Sequence, residues 1–170
     1  MDRDKPPILI VHGFKGANLV KGEHRRSMFL TLPMVLNPFC SPNISLPLRW
    51  REENGLHVQE SDDIEASGPF DLFGKVYPPL VKKLEGEYNE TCQVVTTADE
   101  IVDGSKSKLF FFVYDWRRDP NESAKKLHSV LNKISWVLGM PPQIIGHSMG
   151  AQLAWHVVNK EPGLAGERGR

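Results

Sequence analysis

Cysteine is almost absent. Cys40 and Cys92 are too few to staple a small scaffold or to build a four-cysteine zinc site, so two ordinary thiols are expected, with one disulfide between them as the alternative. An excess of one charge is also missing. The 21 basic residues are balanced by 21 acidic ones, which gives nucleic acid no bulk positive charge to bind. No long hydrophobic run is present either. The most apolar stretch, Met28 to Phe39, covers about 12 positions and is broken by Pro33 and Pro38, well short of the roughly 20 residues that span a bilayer. The N-terminus, Met1 to Lys5, mixes acids with bases and runs into Pro6-Pro7 without the apolar core of an export signal, so a cytoplasmic location is the default expectation. Three triplets, beginning at Asn43, Asn89 and Asn121, match the glycosylation acceptor pattern, which bears only on a secreted chain. What is present is 40 % apolar and 25 % charged residue in a chain of 170. That is enough for the core of one domain, or of part of a larger one, and too much for global disorder.

Ile8-Leu9-Ile10-Val11 is an unbroken apolar run between Pro-Pro and His12-Gly13, the pattern of a strand buried on both faces. From about Lys15 to Gly74 the chain is proline-rich and holds no sustained period, which predicts an insertion of loops and short helices. Within it, Arg51 to Ser67 carries six acids against one base and reads as a solvated surface. Pro78-Pro79 followed by Leu80, Val81, Leu84 and Tyr88 predicts a helix of about ten residues. A short strand is expected at Cys92 to Thr96, a central strand at Leu109 to Tyr114 and another at Gln143 to Ile145. Asp119-Pro120-Asn121-Glu122 predicts the start of a long helix that Gly139 closes, and Ala151 to about Asn159 predicts a last one. This alternation implies an α/β class with a parallel sheet and flanking helices. Ligands bind such sheets at the carboxyl ends of the strands, where His12-Gly13-Phe14, Tyr114 to Arg117 and Ser148 all fall.

Gly146-His147-Ser148-Met149-Gly150 fits the nucleophile elbow, a tight strand-to-helix turn that projects a serine hydroxyl at a helix N-terminus. Attack on an ester needs two N–H donors for the emerging oxyanion. Met149 supplies one, and the Phe14 amide, in the bend made by Gly13, is assigned as the other; an ordinary glycine turn is the alternative at Gly13. His12 and His147 lie near the same rim, where packing or hydrogen bonding is the commoner use of histidine. His156 stands about 12 Å along the helix from Ser148 and cannot serve it.

Val11-His12-Gly13-Phe14-Lys15-Gly16-Ala17-Asn18-Leu19, Tyr114-Asp115-Trp116-Arg117 and Gly146 to Gly150 together resemble, in order, landmarks of the lecithin:cholesterol acyltransferase family, which includes lysosomal phospholipase A2 and phospholipid:diacylglycerol acyltransferase. The resemblance extends over nearly the whole chain. It implies an α/β-hydrolase fold, serine acyl transfer on phospholipids or other acyl lipids, and a lid within residues 15–74. It further implies Ser148 as nucleophile, Phe14 and Met149 as oxyanion donors, and Asp115, Trp116 and Arg117 as a wall of the site, with a purely structural Asp-Arg brace as the alternative. Met28 to Phe39, flanked by Lys21, Arg25 and Arg26, is the segment expected to meet a membrane surface, or else to pack on its own domain. No metal, nucleotide or redox cofactor is called for.

In this fold the acid and the histidine follow the serine. The 22 residues after Ser148 hold no aspartate, and their one histidine is His156. The expectation is therefore a C-terminally truncated hydrolase domain, with little or no turnover from 1–170 itself. A noncatalytic fragment that binds lipid or a partner is the competing reading.

Overall fold

The chain builds its centre from its most apolar segments. In the computed structural model, which describes residues 5–22, 24–28, 44–46, 50–53, 56–59, 62–70 and 76–160, β1 (Ile8–Val11) is buried at every position. So is β8 (Leu109–Phe112), whose three phenylalanines are each at most 1 % exposed. With β7 (Gln93–Val95) and β9 (Gln143–Gly146) they form a four-stranded sheet in the order β7-β8-β1-β9, every pairing parallel. Strands buried on both faces have no need to alternate polar and apolar residues, which is why these read as continuous runs.

Three helices complete the layers: α1 (Pro78–Tyr88), α2 (Pro120–Leu138) and α3 (Met149–Lys160). Helix α1 packs on β8, α3 packs on β9 and β1, and α2 lies against α3 and the 3-10 turn at Ala98–Glu100. Asp119 caps α2 by accepting the Asn121 N–H at 2.8 Å, and Leu127, Val130, Leu131 and Ile134 form its buried stripe. Glu122 pairs with Arg118 at 2.7 Å. The chain is thus an α/β unit with a parallel sheet flanked by helices, as its alternation implies.

The inserted tract departs from expectation. Instead of loops and short helices, β2 (Ala17–Lys21) pairs antiparallel with β3 (Arg26–Ser27) and with β6 (Ile64–Pro69), while β4 (Trp50–Glu53) and β5 (Leu56–Gln59) form a separate ribbon. Nor is its acidic stretch wholly a solvated surface, because Asp62 is bound to Arg117 with its side chain only 14 % exposed. Of the segment expected at a membrane, Met28 alone is described, and it packs against the core; the rest of Met28 to Phe39, like Cys40 and the residues after 160, lies outside the described residues. No described helix is long and apolar enough to cross a membrane.

Candidate active site

Register places the site. Val11 of β1 lies between Phe112 of β8 and Gly146 of β9, so the residues that leave these strands emerge at one level on one rim. His12-Gly13-Phe14 follows the first strand, Tyr114 to Arg117 the second and His147-Ser148 the third.

Ser148 is an exposed residue at φ 52°, a left-handed conformation that costs an L-residue roughly 1–2 kcal/mol. The turn around it is tightly closed. His147 N–H donates to the Val11 carbonyl at 3.0 Å, and Ala151 N–H to the Ser148 carbonyl at 3.0 Å. Two glycines let it form: a Cβ on Gly150 would stand 2.3 Å from the His12 carbonyl oxygen, and one on Gly13 would stand 2.9 Å from the Ser148 Cβ. The second contact brings the Gly13-Phe14 loop directly against the elbow. Helix α3 begins at Met149, so the Met149 N–H is one of the orphan donors of a helix start. Among the described residues, neither the Phe14 nor the Met149 backbone N–H donates to another protein group, and the Ser148 hydroxyl has no partner.

Behind this rim the side chains are fixed by polar contacts. His12 is fully buried, stacked on Tyr114 at 4.1 Å between ring centres, and held at both nitrogens. Its Nδ1–H donates to the Gly13 carbonyl at 2.8 Å and its Nε2 accepts the Tyr114 N–H at 3.1 Å. That arrangement suits only the neutral ring, and burial lowers its pKa from 6.5 to about 4. His12 is a structural histidine, not a base. The Tyr114 hydroxyl donates back to the His12 carbonyl at 2.9 Å. Trp116, buried, donates its indole N–H to the Ala17 carbonyl at 3.0 Å and meets the exposed Phe14 ring edge-on at 5.1 Å. It walls the loop that carries the second amide.

Asp115 and Arg117 bind each other and the inserted tract. The Arg117 guanidinium binds Asp115 at 2.5 Å, Asp62 at 2.9 Å and the carbonyls of Ile44 and Ile64 at 3.0 and 3.2 Å. Burial alone would lower its pKa, but the hydrogen bonds and charges of Asp115 and Asp62 prevail and raise it. The pair braces the inserted tract to the end of β8.

Tyr77 was missed by sequence reasoning, since nothing near it in the chain marks it. It is 5 % exposed, accepts the Gly13 N–H at 2.9 Å and contacts His147 Nδ1 at 3.1 Å. Beside the elbow an apolar cleft of about 650 Å³ is walled by Met149, Gln152, Trp155 and His156 of α3 and by Pro120 and Asn121 of α2. Among the described residues no cluster of histidines, cysteines and carboxylates could hold a metal ion. Cys92 is a free, half-buried thiol pushed up to about 12 by burial, with Glu85 and Glu90 adding to the shift.

No protein-family model, curated protein or solved structure matches the chain. Its chemistry has to be read from its own geometry.

Proposed function

We propose that the chain carries the nucleophile half of a serine acyl hydrolase or O-acyltransferase site acting on acyl lipids, in an α/β-hydrolase-like domain of the lecithin:cholesterol acyltransferase type. The observation that carries this reading is Ser148 itself: exposed, held at positive φ on the turn from β9 into α3, with the Gly13-Phe14 loop packed against it and the Phe14 and Met149 amides without a partner among the described residues. Strain of this kind persists only where the surroundings impose it, and it gathers at functional sites. Two preorganised N–H donors beside a serine hydroxyl are what an ester's tetrahedral intermediate requires. The apolar cleft that begins at Met149 suits a hydrocarbon chain better than a polar substrate.

The step runs as follows. Ser148 Oγ attacks the acyl carbonyl, its proton leaves to a base, and the carbonyl electrons move onto the oxygen held by the Phe14 and Met149 amides. Collapse expels the alcohol portion of the lipid and leaves the acyl group on Ser148, for transfer to water or another hydroxyl. Among the described residues no side chain hydrogen-bonds Ser148 to receive its proton, and His156 lies about 12 Å along α3. Residues 1–170 alone should therefore turn over esters poorly. Membrane contact through Met28 to Phe39 and a lid within residues 15–74 belong to the same proposal.

A base supplied from solution tests the reading. A fluorophosphonate with an alkyl chain should label Ser148 of the purified protein slowly, and molar imidazole should accelerate labelling at least about tenfold, because base catalysis contributes roughly 10²–10⁴ in such sites. Peptide mass analysis locates the adduct, and Ser148→Ala should abolish it. Absence of a Ser148 adduct in imidazole at any pH from 7 to 9 overturns the assignment.

A further inference from the structure

Tyr77 closes three approaches at the rim. Its oxygen takes the Gly13 N–H at 2.9 Å, lies 3.1 Å from His147 Nδ1, and occupies a space open only because residue 16 is glycine: a Cβ there would stand 2.8 Å from that oxygen. The ring is wedged edge-on against Phe111 at 5.2 Å and against His147 at 5.9 Å. Tyr77 thus joins the loop that presents the Phe14 amide to the turn that presents Ser148. Those two segments are more than 130 residues apart in the chain, and Tyr77 belongs to neither.

The hydrogen count decides the direction of each bond. A phenol has one hydrogen to give and lone pairs to receive with. The oxygen receives from Gly13, and burial raises the phenol's pKa, so it keeps its hydrogen. Were His147 Nδ1 also to donate, the phenol hydrogen would be left without a partner inside a residue 5 % exposed, which is unfavourable. The phenol therefore donates to Nδ1, and exposed His147 keeps its proton on Nε2, where water can accept it. Because the Gly13 N–H is already engaged, the first amide of this loop left for an oxyanion is that of Phe14.

We propose that Tyr77 is the positioning residue of this site: it locks the Gly13-Phe14 loop to His147, fixes His147 as the Nε2–H tautomer, and so holds the Phe14 amide at the oxyanion position beside Ser148. The inference rests on the acyl-transfer reading of Ser148 for its consequence, and on the hydrogen bonds alone for its geometry.

Two readouts on the full chain separate these layers. In ¹⁵N imidazole spectra at pH 8, His147 of the wild type should show a protonated Nε2 and an acceptor Nδ1, and Tyr77→Phe should mix the tautomers. A wild-type His147 protonated on Nδ1, or a spectrum unchanged in Tyr77→Phe, overturns the proposed lock. In the imidazole-assisted fluorophosphonate assay, Tyr77→Phe should label Ser148 about tenfold more slowly or worse, since small misplacements of catalytic groups cost up to about 10² in rate. His147→Asn, which keeps an acceptor near the Nδ1 position, should stay within about threefold of wild type, and His147→Leu should fall with Tyr77→Phe. Equal labelling of Tyr77→Phe and wild type overturns the positioning role even if the melting temperatures differ. If wild type itself does not label, the acyl-transfer reading falls, and the tautomer spectra still decide whether Tyr77 ties loop to turn.

Discussion

The four-stranded parallel sheet and the three-stranded sheet of the inserted tract share one hydrophobic core, yet they lean on it to different degrees. In the first, β1 and β8 bury all eight of their residues, every one apolar, and stability comes from area removed from water. In the second, burial is thinner: β2 buries Ala17, Leu19 and Val20, and β6 buries Ile64 alone. To that burial this sheet adds polar, long-range ties: Arg117 grips Asp62 and the Ile44 and Ile64 carbonyls, and the Trp116 indole holds the Ala17 carbonyl. Area-based cohesion is shared among many contacts and degrades gradually. A buried ionic knot is concentrated in one side chain and fails at once when that side chain is removed.

The largest expected effect tests this contrast directly. Arg117→Ala leaves Asp115 and Asp62, whose side chains are 10 % and 14 % exposed, without the guanidinium that compensates them. Breaking such a pair from one side costs about 3–5 kcal/mol, against about 0.5–1.5 kcal/mol for Ile10→Val in the parallel sheet. Urea denaturation measures both. Hydrogen exchange should show Leu19 and Val20 of β2 losing protection first while Phe111 of β8 keeps it. Uniform loss across both sheets would mean that they form one cooperative unit and that the contrast is false.

The next effect belongs to the rim between the two sheets. His12 has a folded-state pKa near 4 against 6.5 for the free side chain, so between these values the unfolded chain binds a proton that the folded one refuses. Stability is thus complete above about pH 6.5 and is lost as pH falls toward 4, by a total of roughly 3 kcal/mol. Denaturation midpoints between pH 4 and 8 should trace this slope, and His12→Gln should flatten it, from a lower starting stability. A slope in that window unchanged by the substitution would place its origin in other groups.

How much was legible in the sequence follows the same divide. Ile8 to Val11, Leu109 to Phe112 and the helix from Asp119 to Gly139 announce themselves because continuous apolar runs, caps and helical spacing are local signals. The strand expected to reach Tyr114 stops at Phe112, because the Tyr114 N–H is taken by the His12 ring rather than by a neighbouring strand. The Gly-x-Ser-x-Gly turn was readable for a physical reason, since a Cβ at Gly150 would collide with the His12 carbonyl. Nothing local announces β2 and β6: Ala-Asn-Leu-Val-Lys and Ile-Glu-Ala-Ser-Gly-Pro become strands by pairing with each other across more than 40 residues. Tyr77 was invisible for the same reason, its partners being 64 and 70 residues away.

The smallest effect concerns a residue of the sheet's rim held in a left-handed backbone conformation. Ser148 sits at φ 52°, and nothing in its own side chain favours that conformation, for the hydroxyl has no partner among the described residues. Ser148→Ala removes the hydroxyl and keeps the strained backbone, whereas Ser148→Gly removes both hydroxyl and Cβ, and glycine enters positive φ freely. Relief of roughly 1–2 kcal/mol is partly offset by the greater freedom glycine has in the unfolded chain, about 0.4–1 kcal/mol. Ser148→Gly should therefore melt higher than Ser148→Ala, by about 0.5–1 kcal/mol of stability in urea. Either substitution removes the proposed nucleophile, so a glycine variant that is the more stable of the two and equally unreactive would show the turn bearing a conformational cost to keep a serine there. A glycine variant no more stable than the alanine one would mean that the left-handed backbone at 148 is relaxed, and the strongest local argument for a functional elbow would be lost.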